Sequence, residues 1–269
     1  MMKKLLALVL CCALPAEAAI AYVTSSIKVT GCAGGGTTCV LTLGSTSTAG
    51  NAMSVGILID SGCTISSVTD SGGSSYSQKA TVTNASLGAI QRIYGALSIS
   101  ASTTVSVAFS GSCNSQYTML SATEYSGVSL FGNTNTATGN SGTTSVSVTM
   151  QRASNFSQGS FGTYPAATWT ATAGTIRTQA SNATNGALAS IDNSGSGSLA
   201  VTATLTSAQW LAVAVELCQS NPCASTGTGP VNSGMFDFWG AVPSRNDPLA
   251  SLNLANWRPQ GVYNGRVSF

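Results

Sequence analysis

From Asn51 to Val128 apolar and small polar residues alternate, and Gly, Ser and Asn turns interrupt the alternation about every 8–12 residues. A period of two belongs to a strand with one covered face, and the turn spacing is that of short strands in a sandwich or barrel. The reading places strands over 22–30, 40–43, 51–60, 64–69, 76–82, 89–97, 103–109 and 117–125. Weaker strands follow over 144–150, 155–164, 174–178, 186–191 and 199–205, and a last clear one over 209–217. Helical periodicity is absent throughout this stretch. Both halves close in a similar run, ATEYSG and AVAVELC, each with one glutamate, a parallel too short to establish a repeat.

The order SVGILID, ISSVTDSGGSSY, RIYGALSISASTTVSVAFSG and LSATEYSGV resembles secreted bacterial β-sandwich modules of jelly-roll type. Those modules carry a V-T-D-x-x-G-x-x-Y turn, a V-T-V-x-F strand and an E-Y-S-G-V strand, and Ala208-Gln209-Trp210 is similar to their ending. The resemblance covers residues 20–218. It implies an all-β, antiparallel two-sheet β-sandwich of jelly-roll type, and it implies no catalytic residue. The chain departs from the pattern at Gly72-Gly73-Ser74 and in its cysteines.

The first residues read as an export signal. Lys3 and Lys4 precede an apolar run over 5–14 that is too short to span a bilayer, and Ala16-Glu17-Ala18 reads as the cleavage site, with Ala19-Ile20-Ala21 as a second choice. This gives a signal peptide over 1–18, a sandwich domain over 19–218, a Pro/Gly/Ser/Thr linker over 219–233 and an aromatic tail over 234–269. Cys11 or Cys12 as a lipid anchor is disfavoured by Leu10, where a small residue is wanted. A secreted or cell-surface location follows. The terminal Phe269 is a feature of outer-membrane barrels, but the strands lack their lipid-facing apolar residues and aromatic girdles.

Six cysteines remain after the leader, an even number that reads as disulfides in an exported chain. The strand layout favours Cys32 with Cys39, Cys63 with Cys113, and Cys218 with Cys223. No CxxC pair and no histidine supports a zinc site. Only 7% of the 269 residues are charged, against a globular norm of about 25%, and Ser, Thr, Gly, Ala and Asn replace them. The formal net charge is +2 with no basic stripe, so nucleic acid is excluded as a partner class. No cofactor is called for.

Without histidine, Ser-His-Asp and Cys-His catalysis are unavailable. The remaining catalytic option is a carboxylate pair, as in an extracellular glycoside hydrolase, and the candidates are Glu124 and Glu216, each in an apolar strand. The plainer reading puts each at a strand end, on a solvent face, or beside Arg92 or Arg152. Asp70 in VTDSGG reads as an Asx-turn residue. The competing reading has Asp70 and Asp60 hold Ca²⁺, but no D-x-D-x-D spacing supports it. Among the aromatics, Tyr94 and Trp210 read as core, while Trp169 and Tyr164 are candidates for sugar stacking. Asn84, Asn155 and Asn182 fit the glycosylation sequon. The expectation is a non-catalytic protein for binding, adhesion or extracellular assembly, with polysaccharide or its own copies as partners and the tail as a docking segment.

Overall fold

The alternation resolves into antiparallel ladders throughout, with no helix among the described residues. A computed structural model describes residues 18–29, 37–111, 113, 118–164, 166–182, 186–223, 261–263 and 266–268. Residues 1–17 of the expected leader, Cys32, Tyr117 and most of the linker and tail lie outside these residues. Two compact units divide the chain, 1–226 and 227–269. The second contains one described hairpin, β15 (Gly261–Tyr263) with β16 (Arg266–Ser268).

The first half of the large unit contains eight strands. They are β1 (Ala21–Lys28), β2 (Thr38–Thr42), β3 (Ala52–Asp60), β4 (Cys63–Asp70), β5 (Ser77–Asn84), β6 (Ala89–Ala96), β7 (Thr104–Gly111) and β8 (Met119–Ser126). They form a five-stranded sheet in the order β1-β8-β3-β6-β5 and a three-stranded sheet in the order β2-β7-β4. The two sheets face each other across a core in which Leu41, Val68, Val105 and Val107 meet Met53, Val55, Ile57 and Leu120. This is the expected sandwich. Strand β3 is covered on both faces, which is why its run AMSVGILI is nearly continuous in apolar and small residues.

The second half contains β9 (Leu130–Thr149), β10 (Phe156–Thr163), β11 (Thr170–Ala173), β12 (Thr175–Asn182), β13 (Gly186–Ser194) and β14 (Ser198–Cys218). The long hairpin of β9 and β14 is divided by a register shift between Thr204 and Ala208. One stretch of β14, residues 208–218, pairs with β10, while the other, 198–205, pairs with β11. Val201 and Ala203 of the second stretch, with Val146 and Val148 of the β9 segment paired to it, pack on Phe161, Ala189, Ile191 and Ala212, so this sheet closes over itself into a sandwich of its own.

The two halves have the same topology. With β9 and β14 each counted as two stretches, β9-β14-β10-β13-β12 repeats β1-β8-β3-β6-β5, and β9-β14-β11 repeats β2-β7-β4. Registers match residue by residue. Gly56 pairs with Ile93 and Ser121 as Ser160 pairs with Ser190 and Val213, and Glu124 lies opposite Met53 as Glu216 lies opposite Ser157. The chain is therefore a structural duplication, and the two similar runs seen in sequence are equivalent strands.

The two large sheets meet back to back across a seam of small and polar side chains. Ser54 Oγ donates to Gln158 Oε1 at 2.6 Å, Gln91 Nε2 donates to Ser160 Oγ at 2.7 Å, and the Thr123 and Ser190 hydroxyls are 3.0 Å apart. All six residues are buried. Gly56 and Gly162 let the sheets approach, because a Cβ at Gly56 would strike Ser160 and one at Gly162 would strike Gln91. At its edges the seam is clasped twice. Lys79 lies over the Phe131 ring at 4.9 Å and Arg177 lies over the Tyr22 ring at 4.3 Å. Lys79 and Arg177 are the extra residues of equivalent bulges in β5 and β12, and Phe131 and Tyr22 are equivalent positions of β9 and β1. Each clasp takes its cation from one half and its ring from the other.

Gly56→Val is expected to cost about 3 kcal/mol by overpacking the seam, lowering Tm by about 6–12 °C. Gly44→Ala, whose new Cβ would meet only Ser26 Oγ at 3.7 Å, is expected to stay within about 0.5 kcal/mol. Thermal unfolding of both variants checks this.

Candidate functional site

Glu124 and Glu216 both lie inside the protein, 1% and 0% exposed, and neither is on a solvent face or held by Arg92 or Arg152. Each binds the loop that precedes the strand opposite it. Glu124 Oε1 accepts from the Thr48 backbone N–H at 2.9 Å and from Asn51 Nδ2 at 2.5 Å. Glu216 Oε1 accepts from the Gln151 backbone N–H at 2.6 Å and from Asn155 Nδ2 at 2.7 Å, and its Oε2 from the Asn133 N–H and Gln151 Nε2. Asn51 and Asn155 each stand immediately before their strand, so the same glutamate–asparagine clamp occurs twice. In half one the clamp is incomplete, since Glu124 Oε2 is buried without a hydrogen-bond partner. Asn155 is fully buried in this contact, which removes it as a glycosylation acceptor in the folded protein.

The two carboxylates do not form a pair. Glu124 shares its strand face with Ala122, which packs on the three-stranded sheet, and Glu216 shares its face with Ala212 and Ala214 of the second core. Both faces turn away from the seam, so the two back-to-back sheets, whose usual spacing is about 10 Å, lie between the glutamates. The separations used in glycoside hydrolysis run from about 5 to 9.5 Å. The two residues also share no hydrogen-bond partner.

Asp70 is the turn residue that its motif suggests. Its Oδ1 accepts from the Gly72 and Ser74 N–H groups at 3.0 and 2.9 Å, and its Oδ2 from the Tyr76 hydroxyl at 3.0 Å. Burial would raise its pKa, but the bonds from Ser74, Tyr76 and Ser102 outweigh this and hold it below the usual carboxylate value. Burial and the neighbouring Asp70 charge push the Tyr76 phenol far above its usual range. The Ca²⁺ alternative with Asp60 is overturned by strand length. Asp60 lies before the start of β4 and Asp70 at its end, about 20 Å apart at ~3.3 Å per residue.

The cysteine pairings hold at two positions. Cys63 is bonded to Cys113 and Cys218 to Cys223. Cys39 is also disulfide-bonded, while Cys32 lies outside the described residues. The Cys218 and Cys223 sulfurs and the Glu216 carboxylate lie within 4.8 Å of one another, but the disulfide removes both thiolates and the clamp occupies the carboxylate.

The surface reading of Trp169 is corrected: it is 1% exposed and packs on Phe161 at a centroid distance of 6.0 Å. Registers place it where half one has Cys63, so the indole plugs the corner that a disulfide closes in the other half. Tyr164 is half-buried.

One polar cluster escaped the sequence reading. Asp192 lies in the seam and accepts from Arg177 Nε at 2.7 Å and from the Tyr125 hydroxyl at 3.0 Å, both on its Oδ2. The exposures decide its balance. Arg177 is 24% exposed, keeps much of its water and has its pKa raised by the carboxylate even though burial opposes this. Asp192 is only 2% exposed, so burial outweighs Arg177 and Tyr125 and its pKa rises. Burial and the Asp192 charge also push the Tyr125 phenol well up.

No family model, curated protein or solved structure matches the chain.

Glu216→Gln sets an amide NH₂ against donors on a fully used carboxylate, and a loss of about 3 kcal/mol is expected. Glu124→Gln can place its NH₂ on the unpartnered side, and a loss below about 1 kcal/mol is expected. Denaturant unfolding measures both. The carboxylates also predict opposite pH dependences. Asp192, raised in the fold, adds stability as pH falls from neutral through its folded pKa, and its contribution levels off below the unfolded value near 3.8. Asp70, lowered in the fold, stabilises above 3.8 and loses this as pH falls further. Tm against pH for wild type, Asp192→Asn and Asp70→Asn checks the signs.

Proposed function

We propose that the protein is a secreted or cell-surface, non-catalytic β-sandwich that works by binding and extracellular assembly, meeting polysaccharide or further copies of itself over its uncharged outer faces. The supporting observation is the chemistry of those faces. Across the three-stranded sheet Val40, Ser106 and Thr69 form one row, and Thr38, Ala108 and Ser67 the next. In half two Ser145 and Thr202 share a 2.9 Å hydroxyl contact, and Thr143, Thr204 and Thr170 form the adjoining row. Asp70 is the single charged residue of β2, β4, β7, β11 and the stretches 143–149 and 198–205, and it is buried. Hydroxyls at strand spacing, ~4.8 Å across and ~6.7 Å along, offer donors and acceptors to a neutral polymer without the desolvation cost of charge. Both buried glutamates are occupied in loop clamps, which leaves binding as the reading the geometry favours.

The test is cosedimentation with insoluble cellulose, chitin and starch, together with light scattering of the protein alone. Thr69→Lys with Thr202→Lys is expected to reduce polymer retention or self-association at least tenfold. Absence of both behaviours in the wild type, or indifference to the lysines, overturns the reading.

A further inference from the structure

The duplication exposes one place where the halves differ in a way that matters for ligands. In half one β3 passes to β4 through Ser61 and Gly62 alone, and the Cys63–Cys113 disulfide closes that corner. In half two the equivalent connection runs over 164–169, six residues in place of two, and Trp169 fills the disulfide's position. Beside this longer connection lies an open cavity of about 380 Å³, lined by Ala166, Ala167, Thr168, Ser181 and Thr206. Three elements supply it: the connection itself, the end of β12 and the bend of β14.

We propose that this corner of half two is a binding site for a small neutral polyhydroxy ligand, a mono- or disaccharide unit of the polymer class named above, so the proposal rests on that reading. Four features carry it. The volume lies in the range of small-molecule sites, about 300–1,000 Å³. The lining holds no charge, so neither an anion nor a cation would be compensated on entering it. The hydroxyls of Thr168, Ser181 and Thr206 have no hydrogen-bond partner among the described residues, and each can both donate and accept, as the hydroxyls of a sugar do. The floor is anchored, because Ala167 and Trp169 are both buried in the second core. Gly186 packs against the start of the connection: it has φ +142°, and a Cβ there would strike the Tyr164 ring and the Thr163 carbonyl. Tyr164 and Trp169, the two aromatics singled out in the sequence, are the ends of this connection. Their part is to hold it in place.

The experiment uses the full-length, disulfide-intact protein and saturation-transfer NMR with maltose, cellobiose and diacetylchitobiose, with glucuronate and glucosamine as charged counterparts. At least one neutral disaccharide is expected to bind, and Ala166→Trp to weaken it at least tenfold. Thr206→Trp, at an exposed position, serves if the first variant fails to fold. Thr83→Trp, at the position in half one equivalent to Ser181, is expected to leave binding unchanged. Silence from every neutral probe overturns the proposal, as does equal binding of the charged ones. Undiminished binding in a tryptophan variant with wild-type Tm also overturns it. Polymer retention that persists without disaccharide binding defeats this site alone. Disaccharide binding without polymer retention or self-association defeats the broader reading alone.

Discussion

Everything in the large unit depends on a buried seam that is polar. Two β-sheets usually meet through branched apolar residues, but here Ser54, Gln91, Thr123, Gln158, Ser160 and Ser190 occupy the middle of the contact. Such a layer contributes little net free energy per bond, roughly 0.5–1.5 kcal/mol, yet each bond broken leaves a buried group costing about 1–3 kcal/mol. The seam therefore contributes less as adhesive than as a template, since sliding the sheets would break all three of its cross-sheet hydrogen bonds. Adhesion across the seam comes from two mixed clusters, one in which Ile93 and Tyr125 meet Val213, Val215 and Leu217, and one in which Leu58 and Met119 meet Leu188 and Leu211.

Much of this was legible in the residues. Strands with one buried and one wet face announce themselves by alternation, and β4 and β7 emerge within a residue or two of their expected ends. The Cys63–Cys113 bond follows from strand neighbourhood, and Asp70 from its turn motif. What failed to show had physical reasons. Residues 130–141 of β9 run NTNTATGNS after their first residues, a polar edge stretch with no alternation to detect. Strand β11 is only four residues long. The expected break between 205 and 209 is a register shift within one long strand. Asp192, Arg177 and Tyr125 are brought together by the seam and by a bulge, and no local pattern records either.

The duplication was invisible for a related reason. Topology and register are shared, but the residues at equivalent seam positions are not. Thr123 and Ser190 exchange a hydrogen bond on one side of the pseudo-two-fold, while their equivalents Val215 and Ile93 make an apolar contact on the other. The features kept in both copies include the glutamate–asparagine clamp, a bulge carrying a cation over a ring, and a bulge near the start of β4 and β11.

That asymmetry makes the seam a keyed joint. Were two first halves to meet, Thr123 would face Ile93 and leave its hydroxyl unbonded. Were two second halves to meet, Asp192 would face Leu217 in the place of Tyr125, a buried carboxylate short of one donor. The clasps alone would tolerate either mistake, since Lys79 sits as well over a tyrosine as over a phenylalanine. Complementarity of hydroxyl to hydroxyl and carboxylate to phenol thus penalises the wrong partner more than it rewards the right one, and a chain made of two like folds is steered to close on itself.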